Sequence, residues 1–330
     1  MKHRLQFAGK RLLRMLLLLL GVSLAAFLLM SASPLDPLQT NVGQAALGAL
    51  SQEQIAQLEE YWGVNTPLPE RYLGWLSHAL RGDLGTSLLY RQPVLQVVGD
   101  RLASSLGLLL FAWLLSGVLG LTLGVLAGAL RDRWPDRAIR GGCLLLSSTP
   151  SFWLAILLLI VFSVWLGWFP IGLSLPIGAE ADTVSLWERL HHAVLPALTL
   201  SITGVPSIAL HTRAKMVEVM ESDYVLFARA RGESLPAIAL RHGLRNVALP
   251  ALTLQFASVS EIIGGSVLVE QVFSYPGLGQ AAVTAGLGSD MPLLLGITVL
   301  TAAIVFGGSL AADLLYGAVD PRIRRGAART

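Results

Sequence analysis

The stretch LASSLGLLLFAWLLSGVLGLTLGVLAGAL, residues 102–130, decides the fold class because it is apolar and contains no charged side chain. A helix needs about 20 mostly apolar residues to cross the hydrocarbon core of a bilayer, and this stretch exceeds that length. Comparable stretches occur at residues 12–32, 143–169, 193–211, 250–272 and 292–316. The sequence therefore predicts an all-α, polytopic membrane protein with six transmembrane helices.

The composition agrees with this fold class and excludes an ordinary soluble enzyme. Of the 330 residues, 54% are hydrophobic and 14% are charged, whereas soluble domains carry about 25% charged residues. The mean hydropathy is +0.63. The single cysteine, Cys143, cannot form an intramolecular disulfide, so a disulfide-stabilised scaffold is excluded as well.

Small residues recur on one face of the quoted stretch. Ser116, Gly120, Gly124 and Gly128 follow one another at intervals of four residues, which places them on the same side of a helix. Small side chains let two helix backbones approach closely inside lipid. We expect this face to be a packing surface in a helical bundle.

Lysines and arginines lie mainly on one side of the predicted helices. Most of the 24 occur before the first helix, after the sixth, and in the loops that follow the second and fourth. Because basic loops stay in the cytoplasm, both termini are predicted to be cytoplasmic. Residues 33–101 then form an outer segment with two short helices, one opening with a capping box of Ser51 and Gln54 and ending at Gly63, the other ending at Gly82.

Sequence signatures of common catalytic sites are missing. The chain has three lysines, Lys2, Lys10 and Lys215, and none of them follows the glycine pattern of a phosphate-binding loop. The chain also lacks the His-Glu-x-x-His, Gly-x-Ser-x-Gly and clustered Cys/His patterns. We therefore expect neither an ATPase nor an intramembrane enzyme.

The loop between the fourth and fifth helices, residues 213–249, is the most informative polar segment. Ser234 is placed to cap a helix that runs to about Val247 and ends where the fifth apolar stretch begins. Arg241 and Arg245 lie one turn apart on it. A helix both basic and apolar suits docking into a groove of another protein, and it equally suits an anionic membrane surface. The residues alone leave both interpretations open.

Motifs along the whole chain resemble those of ABC importer permeases. In the loop they are Asp223-Tyr224, Ala228-Arg229-Ala230-Arg231-Gly232, Arg241-His242-Gly243-Leu244-Arg245-Asn246 and, just beyond it, Leu249-Pro250. Elsewhere they are Gly82–Ser87, Pro150–Trp153, Glu270–Gly279 and Asp320–Arg325. Their order is similar to that of the peptide/opine/nickel uptake family, and the long segment after the first helix resembles its B-type subunit.

Two departures from the family pattern lie in this loop. Leu226-Phe227-Ala228 stands where the family carries Glu-Ala-Ala, so only the alanine at the third position is kept. Gly243 stands where alanine is usual, and we expect the glycine to weaken its helix by up to about 1 kcal/mol.

The resemblance implies a type I ABC importer permease fold in the bacterial inner membrane. It divides the chain into the N-terminus with the first helix (1–32), a periplasmic cap (33–101) and a five-helix permease core (102–330). The implied partners are a C-type permease subunit that completes a heterodimer, two ABC ATPase subunits and a periplasmic substrate-binding protein. No cofactor is expected in this chain, because ATP and Mg²⁺ would be bound by the ATPases.

The residues that the resemblance assigns to contact with the ATPases lie in residues 213–249, named here the coupling loop. Gly232 would supply a tight turn, Ser234 a helix cap and the arginines charged contacts. The full set is Asp223, Tyr224, Ala228, Arg229, Arg231, Gly232, Ser234, Arg241, Arg245 and Asn246.

A translocation path is expected near Glu261, Gly265, Ser148 and Phe152. A carboxylate inside lipid is costly and usually faces a cavity or a partner. Glu261 would therefore line a path for a cationic substrate or a peptide amine. The alternative is a structural carboxylate that is hydrogen-bonded to a neighbouring helix.

The cargo is expected to be nickel or a metal chelate, because the short outer loop before the fourth helix and the arginine-rich C-terminus are typical of nickel-type members. Di- or oligopeptide import by the same mechanism is the alternative, and an ATP-independent secondary transporter is an alternative of another class. His191 and His192 are interpreted as interfacial residues, because adjacent histidines on a helix point in different directions. No metal ligand is predicted.

Overall fold

The computed structural model describes residues 2–33, 40, 50–61, 66–176, 178 and 184–319. Apart from an isolated bridge between Thr86 and Pro93, these residues form helices, turns and connecting segments. The chain divides into two compact units, the first of Met1–Ser105 and Pro276–Phe306, the second of Leu106–Tyr275 and Gly307–Thr330. These units differ from the three predicted parts of the chain, 1–32, 33–101 and 102–330. Those parts were defined by the predicted membrane topology and stay a prediction.

The helices are numbered in chain order. The first four are α1 (Lys2–Ser31), α2 (Gln52–Tyr61), α3 (Leu68–Ala79) and α4 (Val94–Ala129). They are followed by α5 (Trp134–Ser147), α6 (Ser151–Leu158) with a π-helical continuation Leu159–Trp165, α7 (Leu186–Met220) and α8 (Asp223–Ala230). The last are α9 (Leu235–Ile238) with a π-helical segment Ala239–Leu244, α10 (Arg245–Ala257), α11 (Val259–Val272), α12 (Leu278–Leu287) and α13 (Met291–Val319).

Six membrane crossings result when each of two bent helix pairs counts as one. The straight candidates are Leu12–Ser31 of α1, all of α4, all of α7 and Met291–Leu310 of α13. The bent pairs are Trp134–Ser147 with Ser151–Trp165, at 109°, and Leu235–Ala257 with Val259–Val272, at 46°. The prediction of an all-α, multi-pass membrane protein is confirmed. The third and fifth predicted spans each consist of two helices joined at a break.

The break in the third span lies at Ser148–Pro150. The hydroxyls of Ser148 and Thr149 donate to the carbonyls of Leu144 and Leu145, at 3.0 and 2.9 Å, one turn earlier. Pro150 has an extended backbone conformation and no amide hydrogen, so it begins a new helix instead of continuing α5. The predicted helix over 143–169 is therefore two helices, the first of which already starts at Trp134.

The break in the fifth span lies at Ser258, not at Pro250. The helix passes through Pro250 and ends at Ala257. The carbonyl of Gln255 accepts bonds from Trp113 Nε1 of α4 at 2.7 Å and from Ser258 Oγ at 2.8 Å. The side-chain amide of Gln255 donates in return, through Nε2, to the backbone carbonyl of Trp113. Side chains thus satisfy backbone groups that lipid cannot.

The small-residue face of α4 packs against α7, as the sequence predicts. A Cβ at Gly120 would lie 2.7 Å from Ile208 Cβ, and one at Gly124 would lie 2.5 Å from Thr212 Cβ. The contacts recur every four residues on both helices, pairing Ser116 with Gly204, Gly120 with Ile208, Gly124 with Thr212 and Gly128 with Met216. Because both numbers rise together, the two helices run parallel.

In the first unit, α3 packs against α1. The Tyr72 hydroxyl lies 2.9 Å from Ser23 Oγ, and its ring lies 5.2 Å from the Phe27 ring. The predicted capping box is present before α2, where Ser51 and Gln54 exchange bonds. Gly82, with a φ of +87°, follows α3 as predicted. The predicted stop at Gly63 lies outside the described residues.

A buried carboxylate joins the Gly82–Ser87 motif to the start of α13. Asp290 is fully buried, and its Oδ2 accepts bonds from Ser87 Oγ at 2.5 Å and the Leu89 amide at 3.1 Å. Its Oδ1 accepts a bond from the Leu293 amide at 3.1 Å, which caps the helix. The motif therefore has a structural role within the first unit.

Candidate functional site

The turn between α8 and α9 is closed by a glycine with a left-handed backbone. Gly232 has a φ of +80°, and its amide donates to the Arg229 carbonyl at 2.9 Å. The next amide, of Glu233, donates to the Ala228 carbonyl at 3.1 Å. These two bonds form a Schellman motif, which ends a helix through a residue of positive φ. The tight turn assigned to Gly232 is present.

Charged side chains converge on this turn. Arg231 Nη2 donates to Glu233 Oε1 at 2.6 Å, and His242 Nε2 lies 3.4 Å from Glu233 Oε2. The bond from Arg231, and after it the contact with His242, holds the pKa of the Glu233 carboxyl below its usual range. Glu233 thus connects the end of α8 to the π-helical segment. Sequence reasoning did not assign a role to Glu233 or His242, although Glu233 lies between the selected Gly232 and Ser234 and His242 follows the selected Arg241.

The coupling loop presents a surface of basic and apolar side chains. Leu226, Phe227 and Leu240 are 64%, 72% and 63% exposed. The first two stand where the family carries Glu-Ala, so this departure adds apolar area to the surface. Most residues assigned to ATPase contact are exposed with them: Asp223, Tyr224, Arg229, Arg231, Gly232, Ser234, Arg241, Arg245 and Asn246.

Two assigned residues take other positions or roles than expected. Ala228 is buried, at 1% exposure, and contributes its carbonyl to the turn instead of a surface contact. The Ser234 side chain makes no capping hydrogen bond, so the predicted hydroxyl cap is wrong. The helix still begins at Leu235, with Pro236 in its first turn, because the fixed φ of proline suits that position.

A buried ion pair anchors the start of the coupling loop to α5. Asp136 is fully buried, and its carboxylate accepts two bonds from Arg213 of α7, at 2.5 and 2.7 Å. The Asp132 amide donates to the same carboxylate at 2.9 Å. Pairing of this kind is what makes a buried charge tolerable. The sequence analysis used Arg213 only to predict which side of the membrane its loop occupies, and it missed Asp136. The one sequence feature that marks Asp136 is its position as a carboxylate in an arginine-rich loop.

The predicted path residues lie on α6 and α11, which pack against each other, and at the break before α6. Glu261, Phe152 and Ser148 are exposed. A Cβ at Gly264, next to the predicted Gly265, would meet no atom within 4 Å. A Cβ at Gly265 would lie 3.6 Å from Leu200 Cδ2. The structure thus gives Gly265 a packing contact and leaves the open side of α11 to Glu261 and Gly264.

The two histidines at the start of α7 contact the loop that precedes this helix. His191 Nε2 lies 2.9 Å from the Trp168 carbonyl, and His192 Nδ1 lies 3.0 Å from the Gly172 carbonyl. The Leu173 amide also donates to the Phe273 carbonyl at 2.8 Å. Each histidine therefore contacts a different backbone group through one ring nitrogen.

Comparison with known proteins places the chain in a family. Residues 120–325 match the family model of the binding-protein-dependent transport system inner membrane component, and residues 4–109 match the model of the N-terminal part of such membrane components. The chain belongs to this family. It is an ABC importer permease of the peptide/opine/nickel uptake family, a multi-pass protein of the inner membrane that is not itself an enzyme. Membership favours the importer over the secondary-transporter alternative.

Relatives align with this permease over nearly its whole length. The oligopeptide transport system permease protein AppB of Bacillus subtilis (strain 168) is 35% identical over 95% of this chain and 98% of its own. A putative peptide transport system permease of Brucella abortus (strain 2308) is 36% identical over 96% and 98%. The glutathione transport system permease protein GsiC of Salmonella choleraesuis (strain SC-B67) is 33% identical over 97% and 99%.

Proposed function

We propose that this permease imports di- or oligopeptides across the inner membrane. The observation that carries the proposal is the near full-length similarity to relatives named as oligopeptide, peptide and glutathione permeases. This favours the peptide alternative over nickel or a metal chelate.

The permease works as one part of a larger assembly in this proposal. A C-type permease completes a heterodimer, a periplasmic binding protein delivers the peptide, and two ATPases dock on the coupling loop in the cytoplasm. The distribution of Lys and Arg supports this orientation. The exposed apolar side chains Leu226, Phe227 and Leu240 supply the buried area that docking requires. The exposed arginines beside them supply charged contacts.

Transport is a conformational change that the partners bias. The permease has an outward-open and an inward-open packing, and the ATPases shift the equilibrium between them. Glu261 contributes a carboxylate on the exposed side of α11, next to the open position at Gly264. A carboxylate there attracts the ammonium group of a peptide N-terminus. The two breaks, at Ser148–Pro150 and at Ser258, lie in the spans that carry the path residues.

Deletion of the chain tests the cargo. Uptake of a radiolabelled dipeptide and of radiolabelled nickel is measured in the deletion strain and in the same strain complemented with the intact chain. We expect dipeptide uptake to be lost on deletion and restored by complementation, with nickel uptake unchanged. Loss of nickel uptake alone would overturn the peptide proposal, and a further dependence on conditioned medium would identify a metal chelate.

A further inference from the structure

Met216 contacts two glycines on two different elements of the second unit. It lies near the end of α7, and its side chain is fully buried. A Cβ at Gly128 of α4 would lie 2.5 Å from Met216 Cβ and 2.8 Å from Cγ. A Cβ at Gly243 of the π-helical segment would lie 2.6 Å from Met216 Sδ and would also meet Cε. One side chain therefore lies against a glycine at its root and against another at its tip.

The surroundings place this contact at the base of the coupling loop. Met216 belongs to a hydrophobic cluster that draws residues from α4, α7, α8 and the helix over 235–257. Its members are Met216, Val219, Met220, Val225, Ala228, Ile238, Ala239 and Val247, with Leu121, Val125, Ala129, Leu235 and Leu244 packed against them. Side chains from four helices thus form one hydrophobic cluster here. Met216 is fully buried in this cluster and contacts both Gly128 and Gly243.

The π-helical segment coincides with the contact. Its six residues, Ala239–Leu244, include Gly243, the residue covered by the tip of Met216. π-helical turns are rare and concentrate at functional sites. The unbranched thioether of methionine fills irregular spaces well. An alanine at position 243 would therefore have to displace the end of Met216 inside this buried cluster.

We propose that Gly128, Met216 and Gly243 form a clasp through which movement of the coupling loop is passed to α4 and α7. The inference rests on the proposed coupling function and names the contact through which the loop acts. Met216 is a positioning residue, since it is buried in the protein and acts through the two helices. With the clasp intact, displacement of the loop moves α4 and α7 as one body.

Paired substitutions test the clasp in the complete importer, reconstituted with its partner subunits. Gly243→Ala adds a methyl group against the tip of Met216, and Met216→Leu removes the Cε end of that tip but keeps Cβ and Cγ against Gly128. We expect each single change to lower the number of dipeptides transported per ATP hydrolysed, by up to about tenfold. Over-packing at position 243 costs about 1–3 kcal/mol, and a Met-to-Leu exchange costs up to about 1.5 kcal/mol. The double variant should regain most of the loss, because the methyl group added at position 243 fills the space that the tip leaves.

Two matched controls separate the clasp from general packing. Gly142→Ala adds a methyl group where no atom outside its own helix lies within 4 Å, and Met220→Leu shortens another methionine of the same cluster. Both should keep the ratio of transport to ATP hydrolysis. The proposal is overturned if the two losses are independent, so that the transport-to-ATP ratio of the double variant is reduced by the product of the two single-variant reductions. It is also overturned if transport and ATP hydrolysis fall in equal proportion, as for a purely structural defect.

A cargo-independent measurement keeps the clasp distinct from the peptide proposal. Thermal unfolding of the purified complex reports the contact without any substrate. A melting temperature that drops in each single variant and recovers in the double variant supports the clasp contact. If the wild-type complex transports no dipeptide, the peptide proposal fails while this measurement still decides the contact. Additive losses in melting temperature would overturn the clasp.

Discussion

Gly232 shows how one residue can be required by its backbone alone. Its φ of +80° lies in the left-handed region, yet no atom beyond its two chain neighbours lies within 4 Å of the position for a Cβ. The requirement is therefore conformational and not steric. A side chain there costs about 1–2 kcal/mol, because its Cβ approaches the neighbouring carbonyl oxygen.

Replacing Gly232 with valine should disrupt coupling without preventing insertion. The strain weakens the two backbone hydrogen bonds at the end of α8, from Gly232 to Arg229 and from Glu233 to Ala228. The position of α9 therefore changes, while the membrane-spanning helices remain intact. We expect uptake to be lost at a normal membrane level of the protein, measured by labelled dipeptide uptake and quantitative blotting. Gly141→Val is the matched control, since Gly141 has open space and no positive φ. Normal transport-coupled ATP hydrolysis in the Gly232→Val variant would refute the turn's role.

Glu233 should give the same turn a dependence on acid. Its pKa is lowered, first by the bond from Arg231. The ionised carboxylate therefore stabilises the folded turn above the usual glutamate pKa of about 4.3, and this contribution is lost as pH falls through the lowered value. Protection factors of the amides of residues 223–247, which compare the measured exchange with the intrinsic rate at each pH, should fall below about pH 4. In Glu233→Gln the protection should be lower at neutral pH and lack this acid-dependent fall; an unchanged profile would argue against the ion pair.

Among the elements, the contact between α4 and α7 makes the firmest demand on side-chain size. Gly124 faces Thr212 Cβ and the Ala209 carbonyl, with hypothetical Cβ distances of 2.5 and 2.7 Å. Both obstacles are rigid, since one is a branched Cβ and the other is backbone. A larger residue must push the helices apart, and over-packing of this kind costs about 1–3 kcal/mol.

Gly124→Leu should therefore lower the stability of the permease, measured as the melting temperature of the purified protein. Gly107→Leu on the same helix is the control, because a Cβ there meets nothing within 4 Å. We expect the Gly107 variant to melt like the unsubstituted protein. Equal melting temperatures for both variants would contradict the close approach of α4 and α7.

Element boundaries show where sequence reasoning succeeds and where it stops. The apolar stretches located the four straight candidate spans and both bent helix pairs, because length and hydropathy are local properties. The sequence predicted a helix boundary at Pro250, but the helix continues through this proline. In a membrane protein, neighbouring groups can satisfy the backbone carbonyl that loses its donor at a proline. The break at Ser258 and the π-helical segment depend on contacts with Trp113 and Met216. Such distant contacts leave no local pattern to read.

For the whole molecule, the register of α4 against α7 fixes the course of the chain between them. Two parallel helices in one membrane require a return crossing, so the bent pair of Trp134–Ser147 and Ser151–Trp165 must bring the chain back. This supports six crossings. The motifs found the turn at Gly232 but not the ion pair of Asp136 and Arg213, because the two residues are distant in sequence and their pairing depends on the fold.

Glu261→Gln tests the path at the level of transport. Removing the charge from the exposed side of α11 should weaken attraction of a peptide ammonium, so dipeptide uptake should fall several-fold while assembly stays normal. Uptake kinetics in cells measure the loss of transport, and co-purification of the partner subunits measures assembly. Glu53→Gln, on the exposed helix α2, is the control. Wild-type kinetics in Glu261→Gln would leave that carboxylate a structural role only.

The bonds between Trp113 and Gln255 have a consequence for how the protein is made. In hydrocarbon the side-chain amide of Gln255 needs a hydrogen-bond partner, so the fifth span is less favourable in lipid by itself. Its acceptor, the Trp113 carbonyl, belongs to a span that leaves the ribosome earlier. Synthesis from the N-terminus therefore delivers the acceptor to the bilayer before the donor emerges. The order of the spans along the chain is thus also a workable order of insertion.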